Sequence, residues 1–173
     1  MIDPARLLPS VLLSRWVLPP IAAALVLCAV GALGLFAHDA WLVPSLGSAI
    51  FVQVLTPKEA SASLWSTLVG QLTAVPAGFL GIWATMARAA PPVTSGHPPE
   101  PARLLAVAIA IIITVLLQRT LRATCPAGGA VALLVALGTV PPNLHGAMLL
   151  VIGIVLVTAL GEPARTLILS ADS

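Results

Sequence analysis

Residues 124–141, which read T-C-P-A-G-G-A-V-A-L-L-V-A-L-G-T-V-P, decide the fold of this chain. The stretch is apolar enough to enter a membrane, and Pro126, Gly128 and Gly129 stand near its start. Its run of about 16 residues is shorter than the roughly 20 that a straight helix needs to cross the hydrocarbon. The stretch therefore predicts a short helix that begins inside the bilayer.

A second stretch, residues 41–57, has the same construction: W-L-V-P-S-L-G-S-A-I-F-V-Q-V-L-T-P. Each stretch has a Pro, a Gly three positions later, and then an apolar run closed by another Pro. When Pro44 is aligned with Pro126, Gly47 falls on Gly129, a spacing of 82 residues. The pattern predicts that the chain consists of two related halves.

The composition identifies the class of protein. Of the 173 residues, 59% are apolar and 8% are charged, and the mean hydropathy is +1.07. A water-soluble domain of this size with that balance would expose large apolar patches. The composition therefore predicts an integral membrane protein whose residues 1–173 form one transmembrane domain in a lipid bilayer. The net charge of +2, without a basic cluster, excludes nucleic acid as a partner.

The apolar runs predict an all-α membrane protein of six helical segments, arranged as two halves of one long, one short and one long segment. The first half covers about residues 16–88 and the second about 102–162, and a loop rich in Pro, Gly and Ser separates them at 89–101. A brief polar tail is expected from Glu162 onward. The predicted segments are 16–37, 41–56, 64–87, 102–118, 124–141 and 144–160.

The basic residues predict the orientation. Six crossings with the amino terminus in the cytoplasm would leave only Arg88 and Arg103 on the outer side. The inner side would carry Arg6, Arg15, Lys58, Arg119, Arg122 and Arg165. This distribution satisfies the positive-inside rule and predicts that both termini are cytoplasmic. The number of crossings would stay even if neither short segment spanned, so the rule leaves open whether they cross.

Three segments in each half would make the second half enter the bilayer from the opposite side, which is the inverted-topology repeat of many transporters. A helix that begins at membrane depth leaves its first amides without intrahelical partners and carries a partial positive charge there. Two such starts that meet near the midplane would attract an anion. The candidate substrate-binding residues are Ser45, Leu46, Gly47, Ser48, Gln71, Thr124, Cys125, Ala127, Gly128 and Gly129.

The same residues are consistent with a second interpretation. Small residues such as Gly and Ala are common where membrane helices pack closely, with no ligand involved. Gln71 and Gln53 lie in apolar runs, where an amide usually bonds to another helix, and Gln71 is the stronger ligand candidate of the two. The residues alone leave ligand binding and helix packing open.

The chain carries no recognisable enzyme site. No acidic pair lies within a predicted span, no Ser-His-Asp or Cys-His set has a plausible depth, and there is no phosphate-binding loop. The two Cys and three His are not at metal-ligand spacing. We therefore expect no catalysis, no metal and no cofactor.

The sequence resembles the HPP family of small integral membrane proteins, named for a His-Pro-Pro motif. Residues 119–138 (R-T-L-R-A-T-C-P-A-G-G-A-V-A-L-L-V-A-L-G) are similar to the family's H-P-P-A-G-A and the apolar run that follows it. Residues 44–50 are similar to its P-S-x-G-A-x-A stretch, and residues 69–78 to its G-H-x-x-S-A-x-x-G stretch. Thr124, Cys125 and Gln71 replace the two His and the first Pro of these motifs, and His97-Pro98-Pro99 lies in the predicted loop.

The resemblance covers about residues 15–160 and implies a function. Family members from cyanobacteria and chloroplasts are associated with nitrite transport, so the resemblance implies a transporter or channel for a small inorganic anion, nitrite above all. It also implies the bacterial inner membrane as the location. Small spans predict a homo-oligomer, with a dimer as the expected form. The alternative is a non-transporting scaffold or assembly protein whose Gly-rich helices only mediate packing.

Overall fold

The computed structural model describes residues 4–39, 41–93 and 98–171, with side chains from Trp16 onward. His97 and part of the predicted loop 89–101 lie outside these ranges. No β-strand occurs in the described residues, so the all-α fold class is confirmed. The α-helices are α1 (Pro4–Phe36), α2 (Pro44–Leu55), α3 (Leu64–Leu72), α4 (Ala74–Ala84), α5 (Pro101–Thr120), α6 (Pro126–Ala136) and α7 (Leu144–Ala171).

Four helical stretches are long and apolar enough to cross a membrane: Trp16–Phe36, Leu64–Ala84, Pro101–Thr120 and Leu144–Ala171. The second of them combines α3 and α4, which together form the third of the six predicted segments. The two remaining segments are short, with 12 residues in α2 and 11 in α6. The prediction of four long and two short segments is therefore confirmed.

The division between α3 and α4 follows from a proline. Pro76 has no amide hydrogen to donate to the carbonyl one turn earlier, which interrupts the helical ladder. Thr73, at the junction, keeps helical backbone angles and donates its hydroxyl to the Gly70 carbonyl oxygen at 3.0 Å. Leu64–Ala84 is therefore long enough to cross a membrane although it is divided into two helices.

The expected polar tail from Glu162 is wrong, because α7 continues to Ala171 and contains Pro163. Arg165 forms an ion pair with Glu162 at 2.7 Å, one turn apart on the same helix. Arg165 also donates through Nη1 to the Pro57 carbonyl oxygen at 2.8 Å. These bonds on either side of Pro163 support the helix where the proline removes one backbone bond.

Three contacts define one end of the bundle, which we call the Arg165 end. Only residues 56–63 separate the end of α2 from the start of α3, so both lie here. The bond from Arg165 to Pro57 brings α7 to the same place. Trp65, in the first turn of α3, donates through Nε1 to the Leu121 carbonyl oxygen at 3.2 Å. The end of α5 and the segment before α6 therefore also lie at the Arg165 end.

The opposite end is the Arg103 end. Arg103, in the first turn of α5, donates through Nη1 to Ala136, the last residue of α6, at 3.2 Å. Its Nη2 donates to the Ala90 carbonyl oxygen, just beyond α4, at 2.7 Å. His145, at the start of α7, lies 3.6 Å from the Asp39 carboxylate. The segment before α2 is therefore at the Arg103 end.

Helices α2 and α6 consequently run in opposite directions past each other, and they are in contact. The amino end of α2 lies toward the Arg103 end, and the amino end of α6 lies toward the Arg165 end. The prediction that the two amino ends meet at a common pocket near the midplane stays a prediction. Each short helix packs lengthwise along a long helix of the other half.

Glycines make this lengthwise packing possible, and the contacts recur in the two halves. A methyl group at Gly70 would lie 2.5 Å from the Ala123 carbonyl oxygen, and one at Gly153 would lie 2.6 Å from the Trp41 carbonyl oxygen. In the same way, Gly78 faces Val135 of α6 and Gly161 faces Gln53 of α2. The paired positions are 82 or 83 residues apart, which supports the predicted repeat. The opposite membrane orientation of the two halves stays a prediction.

We predict that alanine has opposite effects at two of the glycines. Gly153→Ala should lower the free energy of unfolding by about 1–3 kcal/mol, because the new methyl group presses on the Trp41 carbonyl. Gly129→Ala should raise it by about 0.5–1 kcal/mol, because glycine is a poor helix former and no atom lies within 4 Å of the new methyl group. Denaturant titration of the purified protein in detergent would measure both. Equal effects would contradict the packing described here.

Candidate functional site

The amino end of α6 is held by a glutamine from α5. Gln118 is buried, and its Nε2 donates to the carbonyl oxygens of Gly70 and Cys125 at 2.9 and 3.0 Å. Its Oε1 accepts the Cys125 amide at 3.3 Å. The side chain of Cys125, which precedes the first helical residue, makes no capping bond of its own. Gln118 thus supplies the partners that the start of a helix lacks.

This end of α6 is closely packed. Cys125 and Ala127 are buried, and a methyl group at Gly128 would collide with the Gln118 side chain and the Gly70 carbonyl oxygen. Thr124, by contrast, is exposed. Of the α6 residues predicted to bind substrate, Gly128 therefore has a packing role here, and Gly129 has open space around it.

The amino end of α2 is built differently. Leu46 is fully buried and packs against Gly153, whereas Gly47 and Ser48 are partly exposed. The Ser48 hydroxyl donates to the Ser45 carbonyl oxygen at 2.6 Å. Ser45 itself is buried, and its hydroxyl has no partner among the described residues. The amino ends of α2 and α6 point toward opposite ends of the bundle, and a single substrate site made of these residues and the Cys125 to Gly129 group stays a prediction.

Gln71 lies on α3 and is fully buried. Its Nε2 donates to the Thr67 carbonyl oxygen one turn earlier at 2.9 Å. Its Oε1 has no hydrogen-bond partner within the described part of the chain. Half of this amide is thus unpaired in the interior.

Two further buried residues have unpaired polar atoms, as does the Nε1 of the partly exposed Trp41. Both amide atoms of Gln53 on α2 and the hydroxyl of Thr158 on α7 lack a partner among residues 16–39, 41–93 and 98–171. Both side chains are buried, with exposures of 0% and 1%. Sequence reasoning ranked Gln53 below Gln71 and missed Thr158, for which the only signal was a polar residue within a long apolar run.

These unpaired atoms are energetically unfavourable. A buried polar group without a hydrogen bond costs about 1–3 kcal/mol. Lipid cannot supply the missing bond to an inward-facing group. Polar residues inside a membrane domain are candidates for a functional site because of this cost. The unpaired group, consisting of Ser45, Gln53, Gln71 and Thr158, is the strongest candidate in the described residues.

Basic side chains lie at both ends of the bundle. At the Arg103 end, a cleft of about 510 Å³ is lined by Arg88, Arg103, Gly138 and Thr139, among others. At the Arg165 end, Arg119 in the last turn of α5 and Arg122 just beyond this helix are exposed. Asp39 and Glu100 offset the two arginines at the Arg103 end, so the excess of positive charge, which favours the approach of anions, lies at the Arg165 end.

Comparison with known proteins gives one match. A protein-family model described as "HPP, transmembrane region" matches residues 8–164. No curated protein and no solved structure matches the chain.

We predict that Gln118 is essential for the stability of the α6 start. Gln118→Leu should lower the free energy of unfolding by about 2 kcal/mol or more, because it leaves buried groups of Gly70 and Cys125 without this partner. Thermal unfolding in detergent would measure the change. Thr120→Val, two residues away on the exposed face, is the matched control and should have little effect. A stable Gln118→Leu protein would contradict the capping role.

Proposed function

Because this chain belongs to the HPP transmembrane family, we propose that it is a transporter or channel for a small inorganic anion, with nitrite as the expected solute. The family match and the four membrane-length helices support a membrane protein that moves a solute. The identity of the solute is part of the proposal.

One observation carries the proposal: the unpaired group of Ser45, Gln53, Gln71 and Thr158 inside a membrane domain. A bundle that served only as a support would gain stability if these side chains were apolar. The presence of these polar side chains is explained if a polar solute forms hydrogen bonds with them as it passes through the protein. Buried polar groups that already have hydrogen-bond partners, such as Thr114 and Gln118, are less available to a solute than these four residues.

The excess of basic residues at the Arg165 end supports an anion rather than a cation. Arg88 and Arg103 line the cleft at the Arg103 end, and Arg119 and Arg122 lie near the Arg165 end. Positive side chains at an entrance raise the local concentration of anions. The same distribution supports a cytoplasmic Arg165 end under the positive-inside rule.

The scaffold alternative also has an observation in its favour. Gly70, Gly78, Gly128, Gly153 and Gly161 all face neighbouring atoms so closely that a methyl group would collide with them. These glycines therefore have a sufficient explanation in helix packing. Under this alternative the protein would show no transport at all.

The proposed surroundings are the bacterial inner membrane and a second copy of the chain. Most of the apolar surface of α1 and α5 is not covered by other helices of the same chain. Lipid and a homodimer contact would both cover such surface. Cross-linking in native membranes would detect the dimer.

The proposal predicts nitrite flux. Wild-type protein in liposomes should raise nitrite uptake above that of protein-free vesicles. Gln71→Leu should lower the initial rate about tenfold, which corresponds to one lost hydrogen bond to the solute. Thr114→Val is the matched control, because this buried hydroxyl is already bonded to the Ala110 carbonyl oxygen at 2.7 Å. Uptake no greater than in protein-free vesicles would favour the scaffold.

A further inference from the structure

Gln53 lies in an unusual environment for an amide within a membrane domain. It is on the last turn of α2, it is fully buried, and neither its Nε2 nor its Oε1 has a partner among the described residues. An interhelical amide normally stabilises a membrane bundle through the bond that it makes to another helix. Gln53 makes no such bond, so packing does not explain its presence.

The facing surface of α7 is shaped for this amide. The Gln53 carboxamide lies against Gly161, where any side chain would occupy its place. Thr158 is three residues before Gly161 and therefore lies on the same face of the helix. Its hydroxyl is also buried and unpaired within the described ranges. The Thr158 hydroxyl, which like the Gln53 amide can donate and accept, thus lies one helical turn from the contact between Gln53 and Gly161.

The electrostatics of this contact disfavour a charged ligand. The last turn of a helix carries partial negative charge on its free carbonyl groups, which repels an anion near Gln53. The nearest cation on the same face of α7 is Arg165, which is already bonded to Glu162 at 2.7 and 3.0 Å and to Pro57. An unpaired charge buried at this depth would be costly. A neutral molecule with hydrogen-bond donors and acceptors avoids that cost.

We propose that Gln53 and Thr158 form a binding site between α2 and α7 for a small uncharged hydrogen-bonding molecule, namely the protonated acid form of the transported anion. This inference rests on the proposed function and specifies the form in which the solute passes. The acid would take up its proton before it enters the site and release it on the other side. No protein side chain needs to carry the proton.

The first test combines flux with stability. Gln53→Met should lower the initial rate of nitrite uptake into liposomes about tenfold, because one hydrogen bond to the solute is lost. It should also raise the Tm by several degrees, because it removes a buried amide without partners. Thr158→Val should also lower the initial rate of nitrite uptake. Gln118→Met should instead lower the Tm, because the Gln118 amide already has hydrogen-bond partners. Thr114→Val should transport nitrite at the wild-type rate, because its hydroxyl is already bonded to the Ala110 carbonyl oxygen.

The second test follows the proton. Nitrite uptake by wild-type protein should acidify the vesicle lumen by one proton per nitrite, measured with an enclosed pH dye and corrected for protein-free vesicles. Chloride should not be taken up, because its acid is fully dissociated in water, whereas nitrous acid is a weak acid that keeps a small neutral fraction.

The outcomes separate the two proposals. Nitrite uptake that is unchanged in Gln53→Met, that leaves the lumen pH constant, or that is accompanied by a lower Tm in Gln53→Met would overturn the site while leaving anion transport in place. Absence of nitrite uptake by the wild-type protein would overturn both.

Discussion

A helix that starts inside a membrane must find partners for its first backbone groups within the protein, because lipid offers none. This constraint explains much of the structure. At the start of α6 the partner is Gln118, which bonds to both the amide and the carbonyl of Cys125 and to the Gly70 carbonyl. At the carboxyl end of α6 the partner is Arg103, which bonds to Ala136. Both side chains come from α5, so one long helix fixes both ends of its short neighbour.

The short helix α2 depends on α7 in a comparable way. Its start packs at Gly153, its middle and last turn at Gly161, and the Pro57 carbonyl beyond it accepts a bond from Arg165. A cation at the carboxyl end of a helix also complements the helix dipole. Different residue types therefore support the two short helices, although each helix packs against a long helix of the other half at two glycines. The contacts, more than the sequence identity of the halves, relate the two parts of the chain.

Much of this fold was predictable from the sequence, because it follows from composition and from local signals. The length and hydropathy of the apolar runs predict the long helices, and the Pro-x-x-Gly starts predict α2 and α6. Which long helix supports each short one was not predictable, because that depends on tertiary contacts between the two halves. The roles of Gln118 and Arg103 were also not predictable, because polar residues near the ends of a span usually face water or lipid headgroups. The polar residues from Glu162 onward predict the end of the last span, whereas the bonds of Arg165 to Glu162 and Pro57 support α7 beyond Pro163. For the candidate site, Ser45 and Gln71 were identified by their polarity, and Thr158 emerges only from burial and missing partners.

The exchange of supports between the halves has a consequence for biosynthesis. Helix α2 leaves the ribosome early, but the surface against which it packs belongs to α7, the last of the described helices to be made. Until α7 is inserted, Leu46 and Gln53 of α2 lack their neighbours Gly153 and Gly161. The contact between α2 and α7 can therefore form only after α7 has been translated.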